Sequence, residues 1–249
     1  MRKVYLIPNC VTTANMFCGF YSVISSIHGN YLTAAWAIIA AAIFDTLDGR
    51  IARLTQATSQ FGVEYDSLSD LISFGVAPGI LLYQWALQPY DRLGWGAAFL
   101  FVTCGALRLA RFNVNCHAIP KGYFQGLPIP MAAGVIATFV IFTQTVDWPI
   151  SIHSFVMVLT FTLASLMVST IRFPSFKDFN WQSRATFGYL AVGVLSMVLI
   201  AVKPEVTLFL LLSTYIGISL LWNLLRFVIR GISSSKPEAG STTSYERRP

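Results

Sequence analysis

The stretch YLTAAWAIIAAAIFDTLDGRIARL at residues 31–54, followed by FGVEYDSLSDLISFGVAPGILLYQWAL at 61–87, decides the reading of the fold. A helix needs about 20 mostly apolar residues to cross a hydrocarbon core, and each stretch meets that length. Yet each also carries two aspartates, Asp45 and Asp48 near the end of the first, Asp66 and Asp70 near the start of the second. Ionisable groups at membrane depth are costly, so they point to function by default. Asp45 and Asp48 are three apart and Asp66 and Asp70 four apart, so each pair shares one helix face. The segment from Arg50 to Phe61, with Thr55, Thr58, Ser59 and Gln60, reads as a turn. The two helices are therefore expected to be antiparallel neighbours with all four carboxylates meeting at one end.

The rest of the chain agrees with a membrane setting. Of 249 residues, 55% are hydrophobic and 11% charged. Soluble domains carry about 25% charged residues. The mean hydropathy is +0.63. Apolar segments are expected at 11–28, 31–54, 61–88, 93–113, 129–146, 152–171, 186–202 and 206–229. The fold class expected is all-α, a polytopic bundle of about eight transmembrane helices. With the N-terminus placed inside and the spans alternating, only Arg92 and Lys203 of the 17 Lys and Arg residues fall outside. That bias puts both termini in the cytoplasm. Residues 1–230 read as one membrane-embedded domain and 231–249, rich in Ser, Thr, Gly and Pro, as a disordered cytoplasmic tail.

Other classes are excluded on the same ground of residue type and spacing. The pI is near 9.3. No basic patch is interleaved with aromatics as nucleic-acid binding requires. Cys10, Cys18, Cys104 and Cys116 form no C-x-x-C pair, and His28, His117 and His153 have no ligand spacing, which argues against zinc. They read as packing residues and scattered span-end residues. Four facing carboxylates repel one another, so they are either partly protonated or hold cations. Oxygen-only ligation favours Mg²⁺ or Mn²⁺. Two such ions would balance the four charges and suit phosphoryl transfer. A proton or cation pathway, in an ion-coupled transporter, is the rival from a different class. It would call for acids spread through the membrane depth.

The acids sit in a longer pattern. Asp45, Asp48, Gly49, Ala52, Arg53, Gly62, Asp66 and Asp70 fill every fixed position of D-x2-D-G-x2-A-R-x8-G-x3-D-x3-D. In this the chain resembles the CDP-alcohol phosphotransferase family. The flanks extend the likeness over about the first 130 residues: Pro8, Asn9, Thr12, Asn15 and Gly19 ahead of the motif, and Arg108, Arg111, Asn113, Gly126, Pro128 and Pro130 after it. They are similar to the membrane-embedded phosphatidylserine synthase branch in bacteria and archaea. The resemblance implies a six-helix catalytic core, a homodimer in a prokaryotic cell membrane, and transfer of a phosphatidyl group from CDP-diacylglycerol to L-serine with release of CMP. It implies Asp45, Asp48, Asp66 and Asp70 as metal ligands, with Asp70 also the general base for the weakly nucleophilic serine hydroxyl.

Small residues at Gly49, Ala52 and Gly62 would let the nucleotide approach the helix backbone, or would serve close helix packing. Arg53 suits the donor's diphosphate. Asn9 and Asn15 are read as donor-binding, touching diphosphate or metal, with helix capping by Asn9, Thr12 and Asn15 as the plainer role. Arg108, Arg111 and Asn113 are read as the serine pocket, where topology anchors would be the alternative for the arginines. Gly75 and Gly79 flank Pro78 in a G-x-x-x-G pattern, expected to give close packing, a bend or a dimer contact. Glycerol phosphate, inositol phosphate or choline remain alternative acceptors for the same chemistry.

Overall fold

The computed structural model describes residues 6–55, 59–115, 123–146, 152–174 and 186–234. Cys116, His117, Lys121, Pro149 and the tail from 235 onward lie outside the described residues. Nearly all that is described is helix. Helix α1 (Leu6–Ile27) turns at Gly29 into α2 (Tyr31–Leu54). Gly29 has φ +78°. The amides of Gly29 and Asn30 donate to Ser26 and Ser25, closing the helix end with a left-handed residue that only glycine adopts easily.

Helix α3 (Gln60–Asp70) opens on Ser59, whose hydroxyl accepts from the Gly62 amide at 3.0 Å. It runs without a break into a π-helical turn (Leu71–Val76), then α4 (Ala77–Leu82), a second π-helical turn (Tyr83–Leu87) and a 3-10 turn (Gln88–Tyr90). Pro78 lacks the amide that a regular helix would direct at the Phe74 carbonyl, so the departure from α-helical bonding in the turn before it has a local cause. Asp91, with φ 44°, reverses the chain into α5 (Asp91–Asn115). Then follow β1 (Tyr123–Gln125), α6 (Ile129–Thr145), α7 (Ile152–Val168), β2 (Arg172–Pro174), α8 (Thr186–Val202) and α9 (Pro204–Ser234).

Stretches Ile7–Ile27, Tyr31–Leu54, Gln60–Val114 and Pro204–Asn223 are long and apolar enough to cross a membrane, with shorter apolar helices at Ile129–Thr145, Ile152–Val168 and Gly193–Val202. The 55-residue stretch folds back at Asp91. The chain is an all-helical integral membrane bundle, and the two three-residue strands pair antiparallel as a clip between loops. The described helices fall on the eight expected apolar segments, each within a few residues except at the ends of α1 and α9. Helix α9 runs through Ser234, past the tail boundary expected at Gly231.

Helix α6 is the centre of the bundle, with Ala132, Ala133, Ile136, Ala137, Phe139, Val140 and Ile141 buried. At the end away from the acids, Phe139 packs against Trp85, Phe155 and Phe209 with ring centroids 5.0–5.8 Å apart. One expectation needs correction. Helices α2 and α3 are not each other's main neighbours; α1 packs along α2 and also against α3 and the π-turn, so it stands between them. Lipid gives helices no solvent-driven reason to pair, so small residues and polar bonds select partners, and α1 supplies both. Ser22 donates to the Ala34 carbonyl at 2.9 Å, across to α2. Ser69 donates to Thr12 and Ser73 to Asn15, across from α3 and the π-turn.

The Gly75 and Gly79 pattern is also resolved. Both glycines are buried within the chain. A Cβ on Gly79 would lie 2.8 Å from Val102 and 3.4 Å from the Ala98 carbonyl, and one on Gly75 would lie 3.0 Å from Leu71 and 3.6 Å from Ile129. They let α5 and α6 approach the third span, and their faces are covered by the chain itself rather than open to a second copy.

Candidate active site

The last three turns of α2 and the whole of α3 bring the acids together at one end of the bundle. Ligand oxygens of Asp45, Asp48 and Asp66 all lie within 4.8 Å of one another. Asp70, one turn beyond Asp66, has its carboxyl in hydrogen-bonding reach of Asp45. Asp48 is 4% exposed. Asp48 Oδ2 and Asp66 Oδ1 are buried with no hydrogen-bond partner. Buried carboxylate oxygens without donors are expensive unless a cation meets them. Four clustered carboxyls, two of them with unmet buried oxygens, and no nitrogen or sulfur ligand fit a hard divalent ion.

A cleft of about 190 Å³, partly open to solvent, adjoins this cluster. Its wall comes from three helices: Pro8, Asn9 and Thr12 of α1, Asp48, Gly49, Ala52 and Arg53 of α2, and Ser59, Gly62, Val63 and Asp66 at the start of α3. The gap exists because α1, rather than α3, packs along α2. Gly49 is exposed, and an added Cβ there would meet nothing within 4 Å. Its smallness therefore does not serve helix packing; it leaves the cleft floor open. Gly62 differs, since a Cβ there would lie 3.1 Å from Ser59 Oγ and 3.6 Å from Asn9 Oδ1. Arg53 folds back along its helix, Nε donating to the Gly49 carbonyl at 2.8 Å.

The structure separates residues that the sequence grouped. Asn9 lines the cleft, but Asn15 does not; Asn15 Nδ2 instead donates to Asp70 Oδ1 at 3.3 Å. Arg108 and Arg111 also part company. Arg111 donates to the carbonyls of Met167, Val168 and Ser169, which closes the C-terminal end of α7. Gly126, at φ +77°, makes room for that guanidinium: a Cβ there would overlap the Met167 carbonyl and lie 2.8 Å from Arg111 Nη2. Arg108 is 7% exposed and makes no hydrogen bond among the described residues. Its guanidinium stacks over Phe112 at 5.4 Å, within electrostatic range of Asp70. Asn113 Nδ2 donates to Ser67 Oγ at 2.9 Å and so ties the end of α5 to α3. Glu64 is exposed, as its place outside the motif suggests.

Sequence reasoning passed over Ser69 and Ser73. Their signal was available, because both lie four residues apart in the same helical run as Asp66 and Asp70.

Fold and site together define a polytopic membrane protein with a carboxylate cluster at one end and an open cleft beside it. Residues 5–166 match the family model for CDP-alcohol phosphatidyltransferase. The chain is 35% identical to the CDP-diacylglycerol–serine O-phosphatidyltransferase of Helicobacter pylori (strain ATCC 700392 / 26695) over 230 residues, 92% of this chain and 93% of that one. It is 37% identical to the protein of the same name in Bacillus subtilis (strain 168), over 69% of this chain and 91% of the relative. It is 38% identical to the archaetidylserine synthase of Methanothermobacter thermautotrophicus, over 68% and 69%. The chain belongs to the CDP-alcohol phosphatidyltransferase family and is a membrane transferase.

Proposed function

We propose that the chain transfers the phosphatidyl group of CDP-diacylglycerol to L-serine, giving phosphatidylserine and CMP. The observation that carries this reading is the junction of the acid cluster with a cleft walled by the family motif. The serine acceptor is supported by the names of the relatives and by Arg108, a buried cation within electrostatic range of Asp70.

In this reading Asn9, Gly49, Ala52, Arg53 and Gly62 receive the CDP end of the donor, with Arg53 on its diphosphate. Asp45, Asp48, Asp66 and Asp70 hold two Mg²⁺ or Mn²⁺ ions. When bound, such ions polarise the phosphates and stabilise the departing CMP. Asp70 takes the proton of the serine hydroxyl as that oxygen bonds to the donor's β-phosphorus and the bond to CMP breaks. Arg108 takes the serine carboxylate. Arg111, engaged with the end of α7, and Asn113, tied to Ser67, shape that pocket from behind. The acyl chains stay in lipid while the headgroup enters the cleft; the excess of Lys and Arg supports a site at the cytoplasmic interface of a prokaryotic cell membrane with both termini inside. Residues 1–230 act as one membrane domain, with 231–249 as a tail, and the assembly is a homodimer.

The test is CMP release from purified protein given CDP-diacylglycerol, Mg²⁺ or Mn²⁺ and one acceptor at a time. Release with serine alone is the expected result. Release with glycerol phosphate, inositol phosphate or choline instead would keep the chemistry and replace the acceptor. No release with any acceptor would favour an ion-coupled transporter.

A further inference from the structure

We propose that Asn15 is a positioning residue for the Asp70 carboxyl, itself set by Ser73 and by the close crossing at Gly19; this rests on the reading of Asp70 as the proton acceptor. Asn15 is fully buried. Its Nδ2 donates to Asp70 Oδ1 at 3.3 Å, and its Oδ1 is buried without a hydrogen-bond partner. A carboxylate only accepts, so the amide nitrogen must face Asp70, and the carbonyl is then turned where no donor meets it. Burying an unmet carbonyl is unfavourable, so a residue kept for packing alone would be better served by an apolar side chain of similar volume. The one side-chain bond that Asn15 makes is to Asp70.

The backbone around Asn15 is fixed to match. Ser73 Oγ donates to the Asn15 carbonyl at 3.0 Å, and Ser69 Oγ to the Thr12 carbonyl at 3.1 Å, all four residues being buried. A Cβ on Gly19 would overlap Ser73 Oγ and lie 2.6 Å from its Cα, so α1 is pressed against the segment following Asp70. That segment is the π-helical turn, which begins at the very next residue, Leu71. A π-turn alters the rotation of a helix about its axis, so a straight α-helix does not dictate where Asp70 stands. Helix α1 supplies that reference. Holding Oδ1 fixes the plane of the carboxyl and the direction in which its other oxygen faces.

The experiment compares the full-length wild type with Asn15→Leu, Ser73→Ala and Asp70→Asn, measuring CMP release against serine and against donor, and thermal unfolding. Asn15→Leu is expected to unfold at the wild-type temperature or above while kcat falls about 100-fold and both KM values stay within about threefold. Ser73→Ala, acting through Asn15, is expected to lower kcat by a smaller factor with the same unchanged KM values. Loss of thermal stability in Asn15→Leu in step with activity would make Asn15 scaffold and overturn the proposal. A raised donor KM at unchanged kcat would make it a donor contact and overturn it equally. Asp70→Asn turning over at the wild-type rate would fell the reading of Asp70 first; an inactive Asp70→Asn beside a fully active Asn15→Leu would fell this inference alone.

Discussion

Helices α1–α3 and the pair α8–α9 are both apolar enough to sit in lipid, but they hold their places differently. In the first group, taken with the π-turn that continues α3, Thr12, Asn15, Ser22, Asp48, Ser69 and Ser73 are buried, and hydroxyls bridge from helix to helix. In the second, among the described residues, Ser219 is the one buried polar side chain. Helix α8 packs on α9, and Val194, Leu195, Met197, Val198 and Leu199 are turned outward. Polar bonds between helices are worth about 0.6 kcal/mol each in a bilayer, so several are needed to define one arrangement. The chain places a set of them around the acids, where an ångström matters to charge.

That contrast is open to attack from both sides. The largest expected effect is at the acids. Asp70→Asn should cut turnover by at least about 1000-fold while CDP-diacylglycerol still raises the unfolding temperature, because size is kept and the base is lost. Chelation should silence the wild type, with Mg²⁺ or Mn²⁺ restoring it; activity surviving EDTA would remove the ions from the site. Next comes the cleft floor. Gly49→Val has room for its side chain, so folding should be little affected, and the donor KM should rise about tenfold or more as the added methyls fill the CDP site. An unchanged donor KM would put the nucleotide elsewhere.

The two arginines sharpen the comparison within one helix. Arg108→Ala should raise the serine KM about tenfold with a smaller change for donor. Arg111→Ala should instead destabilise the fold by about 2 kcal/mol, since three carbonyls lose their donor. If both variants shift the serine KM alike, the division of labour fails. The smallest effect is expected on α8. Met197, 74% exposed, should accept Ala with stability within about 0.5 kcal/mol and unchanged turnover. A large loss there would mean that this face meets protein rather than lipid.

The acid pairs were legible from spacing alone because helix pitch decides which side chains share a face, whatever the tertiary context. The apolar segments were legible for a similar reason, being set by the thickness of the bilayer. Partner choice was not. Nothing local in residues 31–87 announces that α1 will stand between α2 and α3, since that depends on Ser22, Ser69, Ser73 and Gly19 meeting across long separations. The same limit explains Arg108 and Arg111. They are three residues apart on one helix, but the end of α7 meets Arg111 and not Arg108. Asn9 and Asn15 looked alike in the sequence; the direction of α1 past α3 sends one to the cleft and the other to Asp70.

The wedge that α1 forms has a consequence for biogenesis. The acids, the cleft wall and the hydroxyl clasp all lie between Pro8 and Ser73 of a 249-residue chain. Chains emerge from the ribosome N-terminus first and their parts fold in that order. The groups that hold the charges in place are thus all synthesised before α6, the bundle's centre, leaves the ribosome. Because both partners of each of these bonds lie within the first 73 residues, the catalytic end can assemble as a nascent hairpin-plus-one, and the later helices close around a site whose parts are already at hand.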